Sequence, residues 1–213
     1  MAPGRFITLE GGEGTGKSTL AAGLEEALGR RDVKVERTRE PGGTPGAEEI
    51  RKLLVEGTAD RWQPISEALL LYAARHDHVE RHIKPALAAG RWVISDRFFD
   101  STTAYQGAAG GVDAQTLATL RQLVLGDFAP DLTLILDLDP EAGLTRAGSR
   151  GTGEARFESK GLAFHQRLRQ GFLDITKAEP ERCVVIDAGQ PPETVLADAL
   201  AAIETRLGGR NER

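Results

Sequence analysis

The segment that most constrains this chain is Gly11-Gly12-Glu13-Gly14-Thr15-Gly16-Lys17-Ser18. It fits G-x-x-x-x-G-K-[ST] at every position, and its flanks fit as well. The apolar run Phe6-Ile7-Thr8-Leu9 comes before it. Lys17 to Arg30 follows, with Leu20, Leu24, Ala27 and Leu28 on one helical face. A strand, a glycine loop and a helix in that order make a phosphate-binding loop, or P-loop. The glycines let successive backbone N–H groups turn inward around phosphate oxygens, and the helix N-terminus adds partial positive charge. Lys17 has the reach for the β- and γ-phosphates, and the Ser18 hydroxyl suits a magnesium ion carried with the nucleotide. Thr19 is counted with the loop as part of the triphosphate site.

The rest of the chain repeats the alternation. Val33–Thr38, Trp92–Ile94, Leu132–Leu136 and Cys183–Ile186 read as further strands. Helical patterns cover Ala47–Glu56, Ser66–Ala89 with an interruption near Pro85, Ser101–Gln106, Asp113–Leu125, a stretch after Pro140, Ser159 to about Lys177, and Glu193–Leu207. Strands separated by helices imply parallel pairing with right-handed crossovers, and ligands then gather at the carboxyl ends of the strands. The chain has 213 residues, which suits one domain over 1–207, with 208–213 expected as a frayed tail.

Composition narrows the partners. The formal net charge is −5, so non-specific binding to nucleic acid or anionic lipid is not expected. The single cysteine, Cys183, excludes an intramolecular disulfide and sits in an apolar run. No stretch approaches a membrane span, and Met1-Ala2-Pro3-Gly4-Arg5 lacks the apolar core of a signal peptide. A cytoplasmic location is the expectation.

A P-loop gives binding but not the reaction. A GTPase needs an Asn-Lys-x-Asp guanine reader, and the chain's only asparagine is Asn211. An ATPase typically ends a strand with an acidic pair, whereas here the third strand runs into Ser95-Asp96-Arg97. An arginine at that point can hold a second anion, which favours a kinase with a phosphorylated acceptor.

Arg39-Glu40-Pro41-Gly42-Gly43-Thr44 follows the second strand, Asp96-Arg97-Phe98 the third, and Ala104-Tyr105-Gln106-Gly107 comes soon after. Together with the P-loop, these segments resemble the thymidylate kinase family from Phe6 to at least Phe157, in order and in spacing. The resemblance implies a P-loop nucleoside monophosphate kinase fold, of α/β class, with a five-stranded parallel sheet flanked by helices. It also implies a homodimer and the reaction ATP + dTMP → ADP + dTDP, in dTTP synthesis.

It further implies roles. Arg97 would grip the acceptor phosphate with a fork that bonds two oxygens at once. Glu13 would face the acceptor sugar, and Tyr105 would pack against its 2′-carbon and exclude a ribose hydroxyl. Asp96, with Ser18, would orient magnesium or its waters, unless it serves only as a strand-end cap. Arg75 would donate to a thymine carbonyl, Ser101 and Thr102 would bond the thymine edge, and Arg39 and Pro41 complete the acceptor set. Where the family often has a phenylalanine stacked on the base, this chain has Leu71, and Tyr72 is the alternative cover.

Residues 146–158 resemble the family's lid, with Arg146, Arg150 and Arg156 among glycines. Some relatives carry a catalytic arginine within the P-loop, at the position of Gly14 here. The glycine assigns that role to the lid, with Arg150 first, then Arg156 and Arg146. Arg146 is also counted with the ATP site. His78 and His82 stand four apart, yet the H-E-x-x-H order is missing, and a solvated helix face is expected there. Two rival activities stay open: a kinase for another monophosphate or deoxynucleoside, and an acceptor-independent P-loop ATPase.

Overall fold

The computed structural model describes residues 4–58, 60–148 and 160–208. β1 (Phe6–Glu10) is buried along its whole length and lies at the centre of the sheet. α1 (Lys17–Gly29) follows the P-loop, and β2 (Val35–Arg39) forms one edge. α2 (Pro45–Val55) and α3 (Pro64–His78) come next, then a π-helical turn over Val79–Ile83 and the short α4 (Lys84–Ala88). β3 (Trp92–Asp96) leads into α5 (Phe99–Thr102), a second π-helical turn over Thr103–Ala109, and α6 (Ala114–Leu125). β4 (Leu132–Asp137), α7 (Pro140–Gly148), α8 (Leu162–Ala178), β5 (Cys183–Asp187) and α9 (Pro192–Leu207) complete the described chain.

All four strand pairs are parallel, in the order β2-β3-β1-β4-β5. The five-stranded α/β sheet is the expected one. The chain leaves β1 for one edge and crosses to the other side after β3, so β1 sits at the switch in winding direction, where a crevice opens. Strand alternation then sorts the core. Ile7 and Leu9 pack with Leu20 and Leu24 of α1 and Ile203 and Leu207 of α9. Phe6 faces the other way, onto Tyr72, Ile83, Phe98 and Phe99. Each such fully buried side chain contributes about 1.5–3 kcal/mol by leaving water. A third cluster joins Tyr105 and Ala104 to Phe164, Leu168 and Phe172 of α8. No described helix is long and apolar enough to cross a membrane.

Several boundaries differ from the sequence reading. β2 starts at Val35 and runs to Arg39, because Val33 belongs to the turn and packs onto the core from there. The long pattern from Ser66 to Ala89 begins earlier, at Pro64, and is broken before Pro85 rather than at it. Pro85 has no N–H and its ring crowds the carbonyl four residues back. The chain meets both demands by widening, and the Lys84 N–H bonds the Val79 carbonyl one residue further back than an α-helix would. The helix expected over Ser101–Gln106 begins at Phe99 and turns π-helical from Thr103. Most of the expected lid, the start of the helix expected from Ser159, and residues 209–213 of the expected tail lie outside the described residues.

Candidate active site

The P-loop leaves β1 and is built for close approach. Gly16 precedes α1 with φ 88° and offers no side-chain cap, so the first-turn N–H groups of the helix are open to an anion. The Lys17 ammonium lies on the loop it would neutralise, donating to the carbonyls of Gly12 at 2.8 Å and Gly11 at 3.1 Å. Burial, and then the charge of Arg97, lower its pKa from the ordinary lysine value. Gly14 has φ +69°, and a Cβ there would stand 2.0 Å from the Gly143 carbonyl oxygen of α7. An arginine within the loop at this position is therefore excluded by packing.

Beside the loop, the carboxyl end of β3 supplies Asp96 and Arg97. The Ser18 hydroxyl donates to Asp96 Oδ2 at 2.9 Å, which brings together the two residues expected at the metal. Arg97 takes φ +73°, a left-handed conformation that costs an arginine about 1 kcal/mol. That turn swings its guanidinium over the P-loop. It bonds Gly11 O at 3.0 Å, Ser101 Oγ at 3.1 Å, Glu13 Oε1 at 3.1 Å and Tyr105 OH at 2.9 Å. The Tyr105 hydroxyl donates in turn to Glu13 at 2.6 Å. Burial alone would raise the Glu13 carboxyl, but Arg97, Lys17 and Tyr105 together bring it below the usual carboxylate value.

Behind Arg97 stands Glu10, the last residue of β1 and fully buried. It accepts from Phe98 N at 2.8 Å, Ser101 N at 3.3 Å and Ser101 Oγ at 2.5 Å. Burial, and then the nearby Asp100, push its carboxyl up to about 8 against the pull of Ser101, Arg97 and Phe98. This residue ties the turn that carries Arg97 to the root of the P-loop.

Next to Arg97 a cavity, partly open to solvent, runs between α2, α3 and the Thr103–Ala109 turn. Its wall is mixed, with apolar side chains and a few polar ones, as small-molecule sites are. Pro41, Leu71, Arg75, Ser101, Thr102 and Tyr105 of the expected acceptor set all line it. Arg75 is buried between the Tyr72 ring at 4.8 Å and the Phe98 ring at 5.3 Å. Its Nε donates to Glu40 Oε2 at 2.7 Å and its Nη2 to Thr102 Oγ1 at 3.2 Å, while its Nη1 has no partner among the described residues. Glu40 also accepts from His78, whose other ring nitrogen bonds Thr38 Oγ1 at 2.7 Å.

Other placements depart from the sequence reading. The Ser101 and Thr102 hydroxyls, expected at the thymine edge, are engaged with Glu10, Arg97 and Arg75. Leu71 is in the cavity wall, whereas Tyr72 is 2% exposed and packs into the core on the neighbouring stripe of α3, so it cannot cover the base. Arg39 lies outside the cavity wall, half exposed and paired with Glu48. His78 is not on a solvated face. It is fully buried, because its two nitrogens find Glu40 and Thr38. Arg146 donates to Ala188 O at 2.9 Å and borders a second cavity, along Gly14, Thr19 and Gln190 on the outer side of the P-loop. Arg150 and Arg156 lie outside the described residues. Among the described residues, no group of three or more His, Cys, Asp or Glu is arranged to hold a metal.

Sequence reasoning missed Glu10, Glu40, Glu67, Phe98 and Gln106. Glu40, Phe98 and Gln106 belong to the quoted R-E-P-G-G-T, D-R-F and A-Y-Q-G motifs, so their signal was present. The Gln106 amide donates to Glu67 Oε2 at 3.0 Å, and its Oε1 has no partner among the described residues. Arg75 and Gln106 both line the cavity, and Arg75 Nη1 and Gln106 Oε1 are buried without a hydrogen-bond partner among the described residues.

The comparisons with known proteins agree with this geometry. The family model for thymidylate kinase matches residues 9–199. A thymidylate kinase of Caulobacter vibrioides is 57% identical over 98% of this chain and 100% of its own length. One of Magnetococcus marinus is 53% identical over 96% of this chain and 97% of its own. The crystal structure of thymidylate kinase from Ehrlichia chaffeensis superposes with a TM-score of 0.78, at 35% identity, over 94% of this chain and 100% of that one. A P-loop at β1, an arginine-bearing turn at β3 and a cavity beside them, on a chain with these relatives, mean that it belongs to the thymidylate kinase family.

Proposed function

We infer that this protein is a nucleoside monophosphate kinase that transfers the terminal phosphoryl group of ATP to dTMP, giving dTDP and ADP on the way to dTTP. Beyond family membership, one observation carries the reading. Arg75 and Gln106 line one cavity beside Arg97, and among the described residues Arg75 Nη1 lacks an acceptor and Gln106 Oε1 lacks a donor. Thymine offers a carbonyl at C4 and a proton on N3, which complement that pair. Cytosine offers an amino group and a bare nitrogen, which invert both contacts, and a buried group left unpaired costs about 1–3 kcal/mol. An ATPase without an acceptor would leave this cavity without a use.

The residues fit a magnesium ion carried with ATP, since the bonded pair of Ser18 and Asp96 supplies hard oxygen donors beside the loop. Those two residues would hold it, and its charge would offset that of the phosphates. Lys17 exchanges its loop carbonyls for the β- and γ-phosphates. Arg97 exchanges its contacts to Glu13 and Gly11 for the acceptor phosphate and aims an oxygen at the γ-phosphorus. That oxygen is already anionic, so a strong general base is not required. Glu13 and Tyr105, freed from Arg97, face the sugar, where the ring leaves no space for a 2′-hydroxyl. Arg146 borders the outer cavity beside the P-loop and is counted with the ATP site.

The charge that closes over the moving phosphoryl group is assigned to residues 146–158, with Arg150 ahead of Arg156. What supports it is the packing of Gly14 on Gly143, which leaves no space for an arginine in the loop itself. Such a cation is worth roughly 10³–10⁵ in rate in related phosphoryl transfers. The working molecule is proposed as a homodimer in the cytoplasm, where ATP is at hand. Ile65 and Leu69, one turn apart on α3, and Leu123 on the adjacent α6 expose large apolar side chains that a second copy would cover.

The test is ADP formation from ATP and magnesium, with dTMP, dUMP, ribosyl-TMP, dCMP, AMP and GMP offered separately. The expected result is a clear preference for dTMP. Equal or greater turnover with a purine or cytosine nucleotide, or ADP formation indifferent to dTMP, would sink the reading.

A further inference from the structure

The turn between β3 and α5 carries a strained residue and has no cap of its own. Arg97 takes φ +73°, its N–H bonds Leu9 O at 2.9 Å, and its carbonyl accepts from Ser95 Oγ at 2.8 Å. Phe98 stands at the cap of α5 without a side-chain bond, so the first N–H groups of that helix need an acceptor from elsewhere. Glu10 supplies it from β1. One carboxyl oxygen takes Phe98 N at 2.8 Å and Ser101 N at 3.3 Å, and the other meets Ser101 Oγ at 2.5 Å. Glu10 is fully buried in the central strand, so this anchor moves only with the sheet.

Ser101 passes the hold on. Its hydroxyl oxygen also accepts from Arg97 Nη1 at 3.1 Å, so one side chain is bonded both to the anchor and to the guanidinium. When Arg97 gives up Gly11 and Glu13 for an acceptor phosphate, the bond to Ser101 need not break. Burial and the neighbouring Asp100 push the Glu10 carboxyl up to about 8, and Asp100 is itself paired with Arg182 at 2.7 and 3.0 Å. A carboxyl that keeps its proton near neutral pH steadies the turn without cancelling the charge that Arg97 brings to a phosphate. We propose that Glu10, acting through Ser101, is a positioning residue for the acceptor: it fixes the Arg97 guanidinium where the acceptor phosphate docks. This role rests on the dTMP reading above and adds to it a residue that does not touch the substrate.

Dissociation constants for dTMP and for thymidine, which lacks the phosphate, are measured by titration calorimetry on the wild-type enzyme and on three variants. Ser101→Ala removes the oxygen that joins Glu10 to Arg97. Glu10→Asp keeps the chemistry but draws the carboxyl back by one methylene. Glu10→Gln keeps the length and, like a protonated carboxyl, can accept from the backbone and donate to Ser101. Affinity for dTMP is expected to fall by at least ~10-fold in S101A and E10D, the scale of a lost hydrogen bond to a charged group, while thymidine changes by less than about twofold. E10Q is expected to recover most of the dTMP affinity that E10D loses. Equal losses for dTMP and thymidine would show a merely structural role and overturn the proposal, as would unchanged dTMP affinity in S101A or E10D. If E10D does not fold, S101A carries the test, since it leaves both backbone bonds of Glu10 in place. A wrong acceptor reading would show in the wild-type enzyme alone, as no binding of dTMP, and would remove the proposal with it.

Discussion

Replacing Glu40 by glutamine removes one charge from a pair that is almost wholly out of water. The side chains of Arg75 and Glu40 are 1% and 3% exposed, and they meet at 2.7 Å. Breaking a buried pair by deleting one partner costs about 3–5 kcal/mol, because the other charge stays buried without compensation. Two features place this case at the lower end. Glutamine keeps one oxygen to accept from Arg75 or from His78, and the guanidinium retains the faces of Tyr72 and Phe98. We expect about 3 kcal/mol, which for a chain of this size lowers the melting midpoint by ~7 °C. The KM for dTMP should rise as well, because Arg75 Nη1 is aimed through the bond that Glu40 makes to Nε.

The decisive form is a double-mutant cycle of E40Q and R75M, read by denaturant unfolding and by steady-state kinetics. Methionine can fill the slot between the two rings without a charge. If the pair is coupled as its geometry indicates, the double variant is more stable than the sum of the single losses by at least ~1 kcal/mol. Strict additivity, or an E40Q protein with wild-type melting and wild-type KM, would refute the account of Arg75 as a charge held in place by Glu40.

Two further predictions concern the other side of the P-loop. Glu10 carries a folded-state carboxyl pushed from 4.5 to about 8, so the folded protein holds a proton that the unfolded chain releases. Its contribution to stability is complete below the unfolded value and is lost as pH rises through the folded one. Wild-type stability, measured by urea unfolding from about pH 5 to about pH 9, should fall relative to Glu10→Gln, whose side chain does not titrate; parallel curves would contradict this. Gly143→Ala places a Cβ 2.6 Å from the Glu13 carbonyl oxygen and should displace the loop from α7. The KM for ATP should rise by roughly tenfold with a stability loss of about 1–3 kcal/mol, as overpacking usually costs, and an unaltered KM would show that the loop does not depend on that contact.

The local features of this protein were legible because they depend on neighbours in the chain. A strand, glycine loop and helix are written into Phe6 to Arg30, and the alternation of short apolar runs with helical patterns implies a parallel sheet. Arg97, Tyr105, Leu71 and Arg75 could be proposed for one site because each follows a strand or belongs to a motif. What those residues do with their hydrogen bonds could not be read. Ser101 and Thr102 have the right types for a base edge, yet their hydroxyls are taken by partners on β1, the β3 turn and α3. His78 looked like a surface histidine until β2 brought Thr38, with Glu40 just beyond it, against α3.

Only the tertiary structure set Glu67 against Gln106, 39 positions apart, and Gly14 against Gly143. The physical reason is the same in both cases. Backbone preference and apolar periodicity act over a few residues and survive in the sequence as pattern. Which side chain an amide meets, or how closely two backbones pass, depends on the rotation and distance of whole elements, and those are decided when the two faces of the sheet bury their separate clusters.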